Sequence, residues 1–236
     1  MQVAIVKYNA GNIFSVVTAL RRLGIEPLLT DDADELRRAD RVLFPGQGEA
    51  RGAMEYLTAR GLDAVIRSLT QPVLGNCVGQ QLLCKHSEEG NVDCIGIFDA
   101  EVKRFRPTLH EEKVPCMGWG PLRLPHGGEK ESPLFEGLFT SSPQGGTEGG
   151  LPYVYFVHSY YVPLCRETIA VADYILPYSA ALHKDNFYAT QFHPEKSGSV
   201  GERILKNFLQ SPLSSCLASQ HNWSEGVGGL NKTHKA

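Results

Sequence analysis

Near residue 75 a short apolar stretch, Pro72 to Leu74, passes through Gly75-Asn76-Cys77-Val78-Gly79 and straight into Gln80-Gln81-Leu82-Leu83. A strand that enters Gly-x-Cys-x-Gly and leaves as a helix leaves little room in its turn. The central residue is then held in a strained backbone conformation, with its side chain raised above a sheet. Glycine on either side removes the Cβ atoms that would collide there. A helix N-terminus behind the cysteine favours negative charge on sulfur, which positions Cys77 as a nucleophile. The plainer reading is a buried structural cysteine in a glycine-rich turn, and the motif by itself does not separate the two.

The preceding residues supply the sheet that such a turn needs. Gln2 to Lys7 reads as a buried strand and Asn9 to Asn12 as a polar turn. Phe14, Val17, Leu20 and Leu23 then recur at helical spacing, with Gly24 placed as a helix-ending glycine. Ile25 to Leu29 predicts a second strand, Asp31 or Asp32 the cap of a short helix ending near Ala39, and Arg41 to Phe44 a third strand. Pro45-Gly46-Gln47-Gly48 is a tight loop, followed by helical patterns from Ala50 to Arg60 and Leu62 to Leu69. This alternation predicts an α/β fold: a doubly wound, mostly parallel sheet with helices on both faces. Beyond Ile97 the texture becomes short β segments, at Ala100 to Phe105, Tyr153 to Val162, Thr168 to Leu176 and Phe187 to Phe192, expected as an antiparallel extension. Glu202 to Leu209 closes the pattern as a helix burying Ile204, Leu205, Phe208 and Leu209.

Size fits one domain over residues 1–210. Ser141 to Gly150, rich in Gly, Ser and Thr, reads as a mobile insertion, and residues 211–236 as a mobile polar tail. A formal net charge of -3 offers no general attraction to nucleic acid. No apolar run approaches the roughly 18 residues of a membrane span, and the N-terminus lacks the basic flank of a signal peptide, so a cytoplasmic location is expected. The six cysteines, at 77, 84, 94, 116, 165 and 216, show no Cys-x-x-Cys spacing, so reduced thiols are expected, with neither a metal nor a cofactor.

A second constellation follows the stretch Phe187 to Phe192. His193-Pro194-Glu195 places two ionisable residues two positions apart, so Glu195 is able to orient His193 through one ring nitrogen while the other faces a thiol. Alone, the pair reads as a surface ion pair. Together with Cys77 it reads as a nucleophile, a base and an orienting carboxylate.

These segments carry a resemblance. Gly75 to Gly79 with Gln81, and Gln191-Phe192-His193-Pro194-Glu195, resemble the signatures of the class I glutamine amidotransferases, and Pro45 to Gly48 is similar to their oxyanion loop. Lys7-Tyr8-Asn9-Ala10-Gly11-Asn12, Met117-Gly118-Trp119, Tyr155 to Tyr160 and Glu195-Lys196-Ser197 resemble, within that family, the glutaminase subunits of imidazole glycerol phosphate synthases. The resemblance runs from residue 2 to about 209.

It implies a triad of Cys77, His193 and Glu195 and an oxyanion hole at Gly46, Gln47 and Val78. It implies glutamine contacts from Gln81, Glu89, Ser159 and Tyr160, the last two through main chain. Ammonia would pass to a separate (β/α)8 cyclase subunit in a heterodimer, faced by Asn12, Trp119, Tyr155 and Lys196, with His158 close by. For His158 a satisfied buried histidine is an equal reading, and for Trp119 and Tyr155 so is core packing.

Four residues depart from the family pattern: Asn76 and Gln47 stand where aliphatic or small apolar residues are usual, and Cys116 and Gly120 where a histidine and an asparagine are common. A local hydrogen bond is expected for Asn76. Three alternatives stay open at this point: a glutaminase subunit of a different amidotransferase, a binding subunit without catalysis, and a cysteine hydrolase acting alone.

Overall fold

The computed structural model describes residues 1–8, 13–46, 48–125, 132–139 and 150–210. In chain order its elements begin with β1 (Val3–Val6), α1 (Phe14–Arg22), β2 (Leu28–Thr30), α2 (Ala33–Arg38), β3 (Arg41–Gly46), α3 (Ala50–Ala59), α4 (Leu62–Arg67), β4 (Val73–Cys77) and α5 (Val78–Leu83). Short strands β5 (His86–Ser87), β6 (Val92–Asp93) and β7 (Glu101–Arg104) follow, then β8 (Cys116–Pro121), β9 (Tyr153–His158) and β10 (Tyr160–Tyr161). The chain continues with β11 (Thr168–Tyr174), β12 (Leu176–Lys184), β13 (Phe187–Thr190), a 3-10 turn at Pro194–Lys196 and α6 (Gly198–Gln210).

Local chemistry sets the boundaries. Gly24, at φ 77°, ends α1: its N–H reaches Arg21 O and the Ile25 N–H reaches Leu20 O, the paired bonds of a helix stop that needs a left-handed residue. Asp32 is the cap of α2, its Oδ1 accepting from the N–H groups of Asp34 and Glu35 at 2.9 Å each. Glu49 caps α3 in the same way through Arg51 and Gly52.

The central sheet has seven strands in the order β11-β12-β13-β4-β3-β1-β2. Alternation along its strands separates two apolar layers. Ala4, Val6, Val42, Phe44, Val73 and Ala189 face the side covered by α2, α3, α4 and α5. Val3, Ile5, Leu43, Leu74 and Tyr188 face α1, α6 and β9. This is the doubly wound arrangement. The α6 side chains Ile204, Leu205, Phe208 and Leu209 are all buried, each contributing about 1.5–3 kcal/mol of apolar burial.

The antiparallel extension is narrower than the sequence suggests. β11–β12 and β12–β13 pair antiparallel, but β13, expected within that extension, runs parallel to β4 with Phe187 opposite Val73 and Thr190 opposite Asn76. A strand that delivers His193 to the cysteine must end where β4 ends, and only the parallel direction does that. Among the described residues β7 and β10 belong to a separate four-stranded sheet, and β8 and β9 form a two-stranded one. The region from Tyr153 to Val162 is two strands broken at Ser159. Asn12, Gln47, residues 141–149 of the insertion and the tail 211–236 lie outside the described residues.

Candidate active site

Cys77 is the last residue of β4 and sits at φ 54° and ψ -111°, a backbone state of the kind that costs about 1–3 kcal/mol. Packing maintains it. A Cβ on Gly79 would lie 1.9 Å from the Phe44 carbonyl oxygen, and one on Gly46 would lie 2.6 Å from Gly79 N and 2.7 Å from Val78 Cβ. The ends of β3 and β4 and the start of α5 are therefore joined backbone to backbone, with Gly46 opposite Cys77 in register. Val78 is the first residue of α5, so its N–H is one of the helix donors without an intrahelical acceptor, beside the sulfur.

One polar side chain braces this corner that the sequence did not single out. The Tyr8 hydroxyl donates to the Pro45 carbonyl at 2.7 Å, and burial, together with the nearby Cys77, holds the phenol above its ordinary range and so in the donor form.

His193 follows β13 after Gln191 and Phe192. Its Nδ1–H donates to Glu195 Oε1 at 2.8 Å, with both side chains buried. The contact is not made by strand alternation: Pro194–Lys196 coils into a 3-10 turn that brings the carboxylate back to the ring. The turn is fastened to β9. His193 N–H donates to Tyr155 O at 3.0 Å, Ser197 Oγ donates to His193 O at 2.6 Å, and Tyr155 N–H donates to Ser197 Oγ at 3.0 Å. Ser197 is thus a positioning residue that the sequence showed only as part of a motif.

Burial by itself lowers the His193 pKa. Hydrogen bonds to Cys77 and Glu195, and the charges of both, outweigh it and raise the imidazole well above its ordinary value of 6.5. The structure thus brings Cys77, His193 and Glu195 together in a row.

The row opens on a cleft of about 380 Å³ whose walls include Gly48, Cys77, Val78, Gln81, Glu89, Ser159, Tyr160, His193 and Lys196. That volume suits a small ligand. Glu89 Oε2 accepts the Ala50 N–H at 2.9 Å, and burial pushes its carboxyl upward against that bond. The Tyr160 carbonyl already accepts from His158 Nδ1 at 2.7 Å and Gln81 Nε2 at 3.3 Å, which leaves the N–H side of this segment for a ligand.

His158 shares the wall. Its Nδ1–H goes to Tyr160 O and its Nε2 accepts from the Tyr178 hydroxyl at 3.2 Å, the satisfied buried histidine among the two readings. Trp119 is 56% exposed and meets the partly buried Tyr155 edge to face at 5.9 Å, with Met117 65% exposed beside it on β8. These rings are not core. Asn76 departs from expectation: both of its side-chain polar atoms are buried with no partner among the described residues, and nothing in the structure explains it.

A strained cysteine between a helix N-terminus and an imidazole backed by a carboxylate, on a doubly wound sheet, is the arrangement of a cysteine-nucleophile enzyme. The chain belongs to the class I glutamine amidotransferases, whose family model matches residues 5–211. Within that family it groups with the HisH subunits of imidazole glycerol phosphate synthase. It is 59% identical to that of Bacteroides thetaiotaomicron over 209 residues, covering 89% of this chain and 99% of the relative. It is 42% identical to that of Pectobacterium atrosepticum over 211 residues, covering 89% and 100%. Among solved structures, a putative GMP synthase subunit from Thermoplasma acidophilum superposes with a TM-score of 0.64 at 22% identity, covering 89% of this chain and 92% of that one, a likeness of fold.

Proposed function

We propose that the chain is the glutaminase subunit of an imidazole glycerol phosphate synthase, acting in histidine biosynthesis in the cytoplasm through residues 1–210. The observation that carries it is the row Cys77, His193, Glu195, whose first two members line a cleft together with Gln81 and Glu89. Cys77 sulfur attacks the side-chain carbonyl of glutamine while His193 holds the thiol proton. The oxyanion is stabilised by the Val78 N–H and by an N–H of the Gly46–Gln47 segment. His193 passes the proton to the departing nitrogen, ammonia leaves, and a thioester to Cys77 remains. Water, deprotonated by His193, then cleaves the thioester to glutamate and restores the thiol. Glu195 holds the ring in the tautomer that faces Nε2 to sulfur.

Gln81, Glu89 and the main chain at Ser159 and Tyr160 bind the glutamine head group. With both N–H bonds of Gln81 used inside the protein, its Oε1 is the atom left to accept from the substrate ammonium. The partner is the cyclase subunit, in a heterodimer, and Asn12, Trp119, Tyr155 and Lys196 face it. The exposed Met117 and Trp119 on β8 support this face, because clustered exposed apolar side chains mark interaction surfaces.

Identity of 59% to a HisH subunit favours this reading over another amidotransferase, and the assembled row favours it over a binding subunit without catalysis. The test is Cys77→Ala in the complex with the cyclase. Glutamine-dependent synthesis is expected to vanish while synthesis from added ammonium continues; loss of both activities overturns the proposal.

A further inference from the structure

Behind the sulfur, hydrogen bonds join three neutral groups: the Gln81 amide donates both to the Tyr160 carbonyl and to Gln191, and Gln191 donates to the sulfur. The Tyr160 carbonyl only accepts, so the atom of Gln81 that faces it at 3.3 Å is the amide nitrogen. That nitrogen also donates to Gln191 Oε1 at 3.1 Å. The Gln191 amide is thereby oriented with oxygen toward Gln81 and nitrogen toward Cys77, where Nε2 lies 3.8 Å from Sγ. Gln191 is 0% exposed and Gln81 2%, so bulk water does not compete for either amide. The ionisable groups that meet this relay are Cys77 at one end, His193 across the sulfur, and His158, whose Nδ1, at 2.7 Å, shares the Tyr160 carbonyl with Gln81.

We infer that Gln191 is a further catalytic residue, a neutral N–H donor to the Cys77 sulfur whose direction is dictated by Gln81 and the Tyr160 carbonyl. It rests on reading Cys77 as the nucleophile. Besides His193, the sulfur meets the Val157 carbonyl at 3.7 Å, which accepts from S–H and so favours the neutral thiol. An amide N–H does the reverse, because a hydrogen bond to an anion is stronger than one to a neutral atom. The reversed amide would set oxygen against the thiolate, and the Tyr160 carbonyl prevents that through Gln81. In the thioester the sulfur is a poor acceptor and the bond relaxes; it re-forms as hydrolysis expels the thiolate. Gln191 exchanges no proton, which moves between Cys77 and His193. Because the amide that orients Gln191 belongs to a residue of the cleft wall, a ligand that shifts Gln81 also shifts the donor on the nucleophile.

A purely structural Gln191 would hold Gln81 in place and leave thiolate formation unchanged, so the pH dependence of thiol reactivity separates the two. The experiment measures iodoacetamide alkylation of the Cys77 peptide by mass spectrometry across pH on the full chain. Wild type, Gln191→Met and Gln81→Met are compared, each checked by thermal melting. Gln191→Met is expected to react about tenfold more slowly near neutral pH and to recover the wild-type rate at high pH, since the N–H to an anion is worth about tenfold or more. Gln81→Met, which frees the Gln191 amide to turn over, is expected to slow in the same pH range by a smaller factor, and it carries the test alone if Gln191→Met does not fold. A wild-type profile in Gln191→Met, or a loss equal at every pH, overturns the inference. Labelling by 6-diazo-5-oxo-norleucine keeps the two ideas apart: if that glutamine analogue leaves wild-type Cys77 unmodified in the presence of the cyclase, the glutaminase reading fails instead.

Discussion

His193 and His158 are 4% and 5% exposed and stand on the wall of one cleft, yet their surroundings drive them apart. His193 lies between a thiol and a carboxylate, and their hydrogen bonds and charge overcome the burial that lowers its pKa. His158 lies between a carbonyl and a phenol among Phe105, Phe156 and Tyr178, and there burial prevails, lowering it to about 4. Burial is common to both. Whether the two neighbours of a ring ionise or merely carry dipoles decides if it handles protons or packs.

That contrast can be broken from either side. The largest effect belongs to His193→Ala, expected to lower glutamine turnover in the complex at least about a thousand-fold through loss of the base, with ammonium-dependent synthesis retained. If turnover falls less than tenfold, His193 is not the proton carrier.

His158 should answer in stability instead. Its folded pKa of about 4 lies below the ordinary 6.5, so between those values the unfolded chain binds a proton that the folded chain refuses. The contribution of His158 is therefore complete above about pH 6.5 and lost as pH falls toward 4, by on the order of 3 kcal/mol. Urea unfolding at neutral pH and near pH 4.5 measures the slope, and His158→Phe is expected to remove most of it. An unchanged slope in that variant would assign the acid loss to other groups.

Smallest is Tyr178→Phe, which leaves His158 Nε2 without its donor and is expected to cost about 1 kcal/mol at neutral pH with glutamine turnover unaltered. A turnover change beyond about threefold would mean that His158 is coupled to the chemistry after all.

Much of this was written in the chain. The elbow glycines, the alternation of β1 to α5, the cap at Asp32 and the stop at Gly24 are short-range demands, where steric limits on a few consecutive residues leave one local solution. The members of the row Cys77, His193 and Glu195 were legible for the same reason, since each sits in a motif with its own local logic. The direction of β13 was not, because parallel or antiparallel pairing depends on which distant strand accepts it, and here that strand is β4. Nor did alternation foretell the 3-10 turn that joins Glu195 to His193, the Tyr8 brace on Pro45, or the amide of Gln191 aimed at the sulfur. Those contacts span 37 residues between Tyr8 and Pro45 and 114 between Gln191 and Cys77. Residue type states what a side chain is able to donate or accept; only the packed sheet, by excluding water and choosing neighbours, decides with whom.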